Sequence, residues 1–284
     1  MKNSLYRLHH ANCLDWMAAH PPASFEAIVT DPPYGLKEFT DTEKRKLRAN
    51  NGGMWRIPPT LNGKQRAPLP RFTVLNTEER QAFSDFMLAF ANAALRVLKP
   101  GGHIFIASNP LLSHRVCGAF EAMGFEKRGE IIRLVTTLRG GDRPKNAHAE
   151  FADVTVMPRS RFEPWPLFRK PYDGRVQDVL RKHGTGALRR PSKELPFSDV
   201  ISSAPTHRKE REIAPHPSLK PQALMRALVH AALPLGKGTV LDPFMGAGST
   251  VAAAVALGYR AVGIESDATY FDLAKRAVPL LAGL

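Results

Sequence analysis

A glycine-rich turn near the end of the chain constrains the fold more than any other feature. The apolar run Gly238 to Leu241 leads into the turn Asp242 to Gly248, and a helical pattern follows from Ser249 to Leu257. A second apolar run, Tyr259 to Ile264, then ends at Glu265. Strand, glycine turn, helix, strand and acid in this order are typical of a mononucleotide-binding βαβ unit. The segment predicts a parallel sheet with a nucleotide-like ligand at the carboxyl ends of its strands.

The remainder of the chain continues the alternation of strands and helices. Apolar runs bounded by turn residues predict strands, and apolar residues at helical spacing predict helices. The predicted strands are Phe25 to Thr30, His103 to Ala107, Glu130 to Thr136 and Ala152 to Met157, and the predicted helices are Glu79 to Leu98, Pro110 to Met123 and Thr269 to Val278. We therefore expect an α/β protein of three layers, a mostly parallel sheet with helices on both faces.

Composition limits the partners and the compartment. The 284 residues include 40 Lys and Arg against 26 Asp and Glu, a net charge of +14, which favours a polyanionic partner. Nucleic acid is the leading candidate, although ribosomal and membrane-surface proteins share this balance. Cys13 and Cys117 have neither disulfide nor zinc spacing, and we expect no metal site. No apolar stretch approaches the ~20 residues of a membrane span. The sequence predicts a soluble, cytoplasmic protein of one large domain with insertions.

The tetrapeptide Asp31-Pro32-Pro33-Tyr34 directly follows the first buried strand. The exocyclic nitrogen of adenine or cytosine is a poor nucleophile, because its lone pair is delocalised into the ring. Asp31 and the backbone carbonyl of Pro32 can accept the two hydrogens of such an amine, while Pro33 stiffens the turn. Tyr34 offers a flat face for a base rotated out of the duplex. The pattern predicts methylation of an amine without a covalent intermediate.

The glycine-rich turn supplies the candidate cofactor contacts. Gly246, Ala247 and Gly248 would let the backbone approach a cofactor, with Ser249 and Thr250 at the helix N-terminus. Glu265 can accept hydrogen bonds from ribose hydroxyls. Asp242 can hold the ammonium of an amino-acid moiety or act as a turn residue, and Phe244 is a cofactor contact or simple core. These residues alone fit a dinucleotide equally well, and only the Asp31 motif favours methyl transfer.

Two basic stretches interrupt the sheet pattern. Residues 37–72 carry nine basic and three acidic residues and predict a mobile basic loop beside the chemistry. Residues 159–215 carry thirteen Lys and Arg against seven Asp and Glu, with interleaved aromatic residues. Arginine and aromatic side chains suit contacts to phosphates and bases, so this stretch is interpreted as an inserted target-recognition region. The alternative is that both stretches are solvated insertions.

Taken together, these motifs resemble those of the amino DNA methyltransferases, which use S-adenosylmethionine. Asp31 to Tyr34 resembles the catalytic motif of that family, Asp242 to Thr250 its cofactor loop, and His216-Pro217-Ser218-Leu219-Lys220-Pro221 its His-Pro-x-x-Lys-Pro segment. Their order resembles the circularly permuted β class. The resemblance implies a Rossmann-like sheet of seven strands, with residues 1–158 as the catalytic half, 159–215 as the recognition insert and 216–284 as the cofactor half.

The same resemblance implies further residues and partners. Ala11-Asn12-Cys13-Leu14 is similar to a cofactor-contacting run in which Asp is usual where Asn12 stands, so Asn12 can still accept a hydrogen bond from the cofactor's adenine. Cys13 would contribute its backbone amide. His216 and Lys220 would order their segment and touch the cofactor's carboxylate end, and Pro217 is a further expected cofactor contact. The alternative for His216 is a structural role, because His-Pro pairs also form turns. Double-stranded DNA is the expected partner, and a homodimer is the expected assembly.

Several functions remain open at this stage. The Asp-Pro-Pro-Tyr form favours N6 of adenine over N4 of cytosine by family resemblance, and related motifs also methylate RNA or protein amides. A catalytically inactive nucleic-acid-binding module with a methyltransferase fold is an alternative from another class. A nicotinamide-dependent oxidoreductase shares the glycine turn, but the sequence contains no evident hydride-transfer site.

Overall fold

The computed structural model describes residues 5–33, 75–135, 144, 146–147, 149–156, 158 and 161–284, and the backbone alone of residues 60–61 and 64–65. Its strands are β1 (Tyr6–His10), β2 (Phe25–Thr30), β3 (Thr60–Leu61), β4 (Lys64–Gln65), β5 (Leu98–Ile106), β6 (Glu126–Leu134), β7 (Phe162–Arg169), β8 (Val200–Ser202), β9 (Thr239–Asp242) and β10 (Arg260–Glu265). Its helices are α1 (Cys13–Ala19), α2 (Thr77–Val97), α3 (Ser113–Ala122), α4 (Val176–His183), α5 (Arg208–Ile213), α6 (Gln222–Ala232), α7 (Ser249–Ala256) and α8 (Ala268–Ala282).

Eight strands form one sheet in the order β1-β10-β9-β2-β5-β7-β6-β8. All neighbours in the sheet are parallel except the pairs that involve β7, which runs antiparallel to β5 and β6. Strands β9 and β10 come last in the chain, yet they lie between β1 and β2. Ala27 of β2 pairs with Val240 of β9 on one side and with His103 of β5 on the other. The two ends of the chain therefore build one sheet, as the circular permutation predicts.

Helices cover both faces of the sheet and produce two buried apolar cores. One core places Leu228 and Val251 of helices α6 and α7 against Val29 of β2. The other places Phe90 of α2 and Phe120 of α3 against Ile28 of the same strand. Because β2 alternates between the two cores and is buried along its whole length, it is a central strand. The three-layer α/β architecture predicted from the sequence is confirmed.

The strand count and two local predictions need correction. The sheet has eight strands, not seven, because the three-residue strand β8 joins the edge beside β6. The strand predicted over Ala152 to Met157 does not form in its described part, 152–156, which consists of turns, bends and irregular backbone. Its place in the sheet is taken by β7, which lies in the stretch interpreted as an insert. Residues 162–169 therefore belong to the core of the fold.

The remainder of the predicted insert spans both edges of the sheet. Backbone hydrogen bonds join Gly101, near the start of β5, to Lys170 and to Gly186. Residues 170–186 thus pack at the amino edge, opposite the end of β2. The chain then returns to the carboxyl edge, where β8 pairs with the end of β6. Residues 170–186 thus lie at the edge away from Asp31, whereas the later part of the stretch returns to the edge at which β2 ends.

Of the predicted basic loop 37–72, the structure describes only the backbone of β3 and β4, which form a short antiparallel pair. The rest of that prediction lies outside the described residues. Within the described part of the chain, no helix combines the length and the apolar character that crossing a membrane requires.

Candidate active site

The catalytic motif begins where β2 ends, at the carboxyl edge of the sheet. The Asp31 side chain is about one-sixth exposed, with a relative accessibility of 16%. Pro32 is buried and Pro33 is exposed, so the turn passes from the core to the surface within three residues. Tyr34 lies outside the described residues, and its stacking role stays a prediction. The described part of the motif presents a partly accessible carboxylate at the edge where open α/β sheets bind ligands.

Lys220 contacts Asp31 directly. Its Nζ lies 2.7 Å from Asp31 Oδ2 and 3.0 Å from Glu163 Oε1, and its side chain is 9% exposed. Burial acts to lower the pKa of Lys220, but the carboxylates of Asp31 and Glu163 outweigh it and the pKa is raised. The structure places the ammonium of Lys220 on the predicted catalytic aspartate. The predicted contact of Lys220 with the cofactor's carboxylate end stays a prediction.

Glu163, near the start of β7, is the second carboxylate that contacts Lys220 and extends the ion pair beyond Asp31. Its Oε2 accepts hydrogen bonds from Arg133 Nη1 and from Trp165 Nε1, each at 3.0 Å. Burial acts to raise the pKa of Glu163, but the charges of Lys220 and Arg133 prevail and lower it to about 2. The side chains of Asp31, Lys220, Glu163 and Arg133 thus form a chain of alternating charge, which we call the ion-pair chain.

Glu163 and Arg133 are not among the site residues that the sequence predicts. Arg133 comes from β6 and Glu163 from β7, and the two residues face each other in the antiparallel register. Lys220 precedes α6 and is 57 positions from Glu163 in the sequence. No local spacing signals such a cluster. Its sequence signal is limited to Glu163, the one acidic residue of a strand that is otherwise apolar and proline-containing up to its last residue, Arg169.

Asp242 ties the glycine turn to the catalytic strand. Its Oδ1 accepts a hydrogen bond of 2.6 Å from Thr30 Oγ1 and one of 3.2 Å from the backbone N–H of Phe244. Burial raises the pKa of Asp242 to about 6, against hydrogen bonds from Thr250, Thr30 and Phe244 that favour the ionised form. Because Thr30 immediately precedes Asp31, this bond fixes the two predicted motifs relative to each other.

The glycine turn has the backbone that only glycine adopts readily. Gly246 has φ +51° and Gly248 has φ +84°, both in the left-handed region. A Cβ on Gly246 would lie 3.1 Å from His216 Nε2, and one on Gly248 would lie 2.4 Å from Val278 Cγ2. Glycine at these positions therefore lets His216 and helix α8 approach the turn closely.

Glu265 fixes this turn from the end of β10. Its Oε2 accepts a hydrogen bond of 2.9 Å from the N–H of Gly246, and its Oε1 accepts one of 2.9 Å from the N–H of Asp267. A carboxylate oxygen has a second lone pair, so each oxygen keeps capacity for a further donor. This geometry fits a carboxylate held in place for two vicinal ribose hydroxyls.

The other predicted residues of the turn are mostly buried. Ala247, Ser249 and Thr250 are each less than 9% exposed. The carbonyl of Ser249 accepts a hydrogen bond of 3.0 Å from Gln222 Nε2, which joins the starts of α6 and α7. Phe244 packs edge-on against Phe90 of α2, with ring centroids 5.1 Å apart. The observed contacts of these residues stabilise the turn, and their contacts to a cofactor stay predictions.

His216 lies beside the glycine turn, whereas Pro217 is exposed. The Nδ1 of His216 accepts a hydrogen bond from the N–H of Ser218, and the His216 ring packs edge-on against that of Tyr270. Burial, with help from the charge of Lys220, lowers the pKa of His216 to about 4. A neutral imidazole therefore flanks the turn at physiological pH.

The segment Ala11 to Leu14 follows β1 and lies at the carboxyl edge of the sheet. The N–H of Ala11 donates to the carbonyl of Glu265 at 3.0 Å, so the run adjoins the end of β10. Asn12 caps α1, with Oδ1 accepting from the N–H of Leu14 at 2.8 Å. Cys13 is buried, and burial raises the pKa of its thiol to about 12. The Asn12 oxygen thus has an observed structural role, and its contact to the adenine of a cofactor stays a prediction.

These residues together form a site in two parts. Asp31 and the ion-pair chain lie at the end of β2 and the start of the antiparallel strand β7, and Asp242, the glycine turn and Glu265 lie at the neighbouring ends of β9 and β10. The two fixed carboxylates of Asp242 and Glu265, together with a turn whose backbone requires glycine, fit an adenosyl amino-acid cofactor. The Asp31 carboxylate follows the neighbouring strand β2. The arrangement suits transfer of a group from such a cofactor to an amine.

Comparisons with known proteins agree with this chemistry. The type II methyltransferase M.HindIII of Haemophilus influenzae is 27% identical over 88% of both chains. A DNA modification methylase of Thermus thermophilus, solved in complex with S-adenosyl-L-methionine, superposes with a TM-score of 0.60 at 22% identity, over 98% of this chain and 96% of that one.

The fold is also that of the PvuII DNA methyltransferase, which is cytosine-N4-specific. It superposes with a TM-score of 0.63 at 13% identity, over 99% of this chain and 92% of that one. The family model described as DNA methylase matches residues 25–276, which include Asp31, the ion-pair chain and the glycine turn. This chain therefore belongs to the DNA methylase family and is a DNA methyltransferase.

Proposed function

We propose that the protein transfers a methyl group from S-adenosylmethionine to N6 of an adenine rotated out of double-stranded DNA. The observation that carries the proposal is the position of the Asp31 carboxylate. It is held by Lys220 at 2.7 Å, one strand away from Asp242 and the glycine turn. An acceptor for the amine hydrogens thus lies beside a turn shaped for the methyl donor.

S-adenosylmethionine supplies a methyl group on a positively charged sulfur, which is an electrophile strong enough for direct transfer. Glu265 would bind its ribose hydroxyls, Asp242 its ammonium, and Asn12 with Cys13 its adenine. The Thermus thermophilus structure in complex with S-adenosyl-L-methionine supports this choice of cofactor. His216 would flank the amino-acid end of the cofactor, and Lys220 would hold Asp31, which it contacts at 2.7 Å.

Asp31 orients the amine. As an ionised carboxylate it accepts one hydrogen of the exocyclic nitrogen, while the backbone carbonyl of Pro32 accepts the other. The nitrogen lone pair is then drawn out of conjugation and aimed at the methyl carbon. The N–C bond would form as the bond from that carbon to sulfur breaks, leaving a neutral thioether, and the Asp31 carboxylate would take the proton that the amine loses. The ammonium of Lys220 favours the ionised, accepting form of Asp31. No covalent intermediate with the protein is needed.

The chain carries an excess of positive charge for the DNA backbone, and residues 187–215 return to the catalytic edge. We propose that target recognition uses this later part of the stretch together with the basic residues 37–72. The homodimer and the cytoplasmic location stay predictions.

Transfer of tritium from labelled S-adenosylmethionine to unmethylated plasmid DNA tests the proposal. The wild type is expected to label the DNA, and the isosteric variant Asp31→Asn to lose almost all transfer. Asn can still accept one hydrogen bond, but it lacks the charge that pairs with Lys220. If Asp31→Asn labels DNA at the wild-type rate, the role of the carboxylate is wrong. If the wild type labels RNA and not DNA, the substrate is wrong.

A further inference from the structure

We infer that Glu163 is a positioning residue for Asp31 that acts through Lys220. The inference rests on the proposed function and adds a residue to it. It starts from the order of three neighbouring strands, β2-β5-β7. Asp31 follows β2, Glu163 lies in β7, and β5 separates the two strands. Lys220 spans this gap above the end of β5, with its Nζ 2.7 Å from one carboxylate and 3.0 Å from the other.

The position of the Lys220 ammonium is therefore set by two carboxylates on opposite sides. Lys220 itself belongs to none of these strands, since it lies in the segment before α6. A long flexible side chain has many rotamers, and two fixed partners select one of them. Without Glu163, the ammonium would be restrained by Asp31 alone, and the pair could shift together.

Glu163 is suited to this task because its two oxygens have separate partners. Oε1 faces Lys220, whereas Oε2 accepts from Arg133 Nη1 and Trp165 Nε1 at 3.0 Å each. Trp165 is fully buried, so packing in the core holds its indole N–H, which donates to Glu163, in one position. The carboxylate of Glu163 is thereby held in the orientation that directs Oε1 at Lys220.

Arg133 connects the ion-pair chain to the segment after β8. Its Nε donates to Ser203 Oγ at 3.1 Å, and its Nη2 donates to the carbonyl of Ala204 at 3.4 Å. These residues belong to the stretch proposed to take part in recognition. The same buried group that orients Asp31 therefore also anchors the segment that returns to the catalytic edge.

Stability alone does not explain this arrangement. Removing ions from water is costly, and buried ion pairs replaced by apolar side chains often leave proteins equally or more stable. An ion-pair chain that ends on a partly accessible catalytic carboxylate is better explained by control of geometry. The ion-pair chain is neutral overall, with two acidic and two basic side chains, so no net charge is left buried.

The test compares Glu163→Gln with Glu126→Gln. Glu126 is a matched control because it pairs with Arg169 across the same two strands, β6 and β7, at the other edge of the sheet. In Glu163→Gln we expect kcat for methylation of unmethylated plasmid DNA to fall about 100-fold, the order expected when a reacting group shifts by ~1 Å. The KM for DNA and the calorimetric Kd for S-adenosylmethionine should stay within about twofold. Glu126→Gln should keep the wild-type kcat.

A pH profile separates positioning from a merely structural role. Lys220 faces the carboxylates of Asp31 and Glu163, the guanidinium of Arg133 and the neutral ring of His216. Removing the Glu163 charge takes away one of the two groups that raise the pKa of Lys220. In Glu163→Gln the alkaline fall of kcat should therefore begin at lower pH than in the wild type.

The variant Glu163→Asp serves if Glu163→Gln does not fold. It keeps the charge but withdraws the carboxylate by one methylene, so it should fold and still lose kcat. A wild-type kcat and pH profile in either variant would overturn the inference while leaving the proposed function intact. An equal loss in Glu126→Gln would also overturn it. Absence of any methyl transfer by the wild type would instead refute the proposed function.

Discussion

Replacing Asp242 with Asn should make the protein more stable at neutral pH. The Asp242 side chain is buried, and burial raises its pKa from the ordinary 3.8 to about 6. When the pKa of an acid is higher in the folded than in the unfolded state, the folded protein binds the proton more tightly, and this binding adds to the free energy of unfolding. The contribution is complete below pH ~4 and is lost as the pH rises through ~6. A shift of about two units corresponds to about 3 kcal/mol in total, at ~1.4 kcal/mol per unit. About half of this change falls between pH 5 and pH 8.

Asparagine is isosteric and uncharged, and its oxygen can accept the bonds from Thr30 and from the N–H of Phe244. The free energy of unfolding of Asp242→Asn minus that of the wild type should therefore increase by about 1.4 kcal/mol from pH 5 to pH 8. Urea unfolding followed by far-UV circular dichroism measures this difference. A difference that stays flat over this range would refute the reasoning that the ionised carboxylate is costly in the folded protein.

The same variant tests why a costly carboxylate is present. If Asp242 holds the ammonium of S-adenosylmethionine, cofactor binding offsets the cost of its burial. The variant should then bind S-adenosylmethionine more weakly, by calorimetry at pH 7.5. The wild type should release a proton on binding near pH 6, seen as a dependence of the binding enthalpy on the buffer. Equal affinity of the two proteins would contradict the ammonium assignment.

Three further substitutions test local features of the structure. Ser108, two residues after β5, is 1% exposed, and its hydroxyl has no hydrogen-bond partner among the described residues. Ser108→Ala should therefore raise the free energy of unfolding by about 1 kcal/mol. Ser84→Ala is the control, because Ser84 Oγ donates to the carbonyl of Arg80 and accepts from Arg115 Nη1. Its removal should lower the free energy of unfolding. If urea unfolding shows Ser84→Ala to be more stable than Ser108→Ala, this reasoning is wrong. Gly248→Ala should cost at least about 1–2 kcal/mol, because φ is +84° and the new methyl would collide with Val278. An unchanged melting temperature and unchanged affinity for S-adenosylmethionine would show that the turn relaxes freely.

The sequence predicts those parts of the fold that have local signals. Strand β9, the glycine turn, α7 and β10 follow one another within 27 residues, and each is marked by apolar periodicity or by glycine. The same is true of β2 and the Asp31 motif that ends it. Their mutual proximity follows from the rule that carboxyl ends of parallel strands share one edge.

Strand β7 has no such signal, because its sequence does not resemble a central strand. Pro164 and Pro166 have no N–H to donate, which usually excludes the middle of a sheet. The structure accommodates both prolines because β5 pairs with β7 only over Leu167 to Arg169, beyond the prolines. Tertiary context therefore decides this strand, and residue-by-residue preference cannot.

The ion-pair chain could not be predicted for a different reason. Asp31, Lys220, Glu163 and Arg133 come from four separate elements, and no short spacing connects them. Lys220 illustrates the limit: its motif is recognisable in the sequence, but its partner is not. The motif by itself suggests a contact with the cofactor, and only the order of the strands shows that Lys220 also contacts Asp31 and Glu163.

The most direct test of the account identifies the methylated base. Unmethylated plasmid DNA is incubated with S-adenosylmethionine and either the wild type or Asp31→Asn, digested to nucleosides and analysed by mass spectrometry. The account predicts N6-methyldeoxyadenosine from the wild type and almost none from the variant. N4-methyldeoxycytidine as the sole product would contradict the adenine assignment, and equal product from both proteins would contradict the central role of the Asp31 carboxylate.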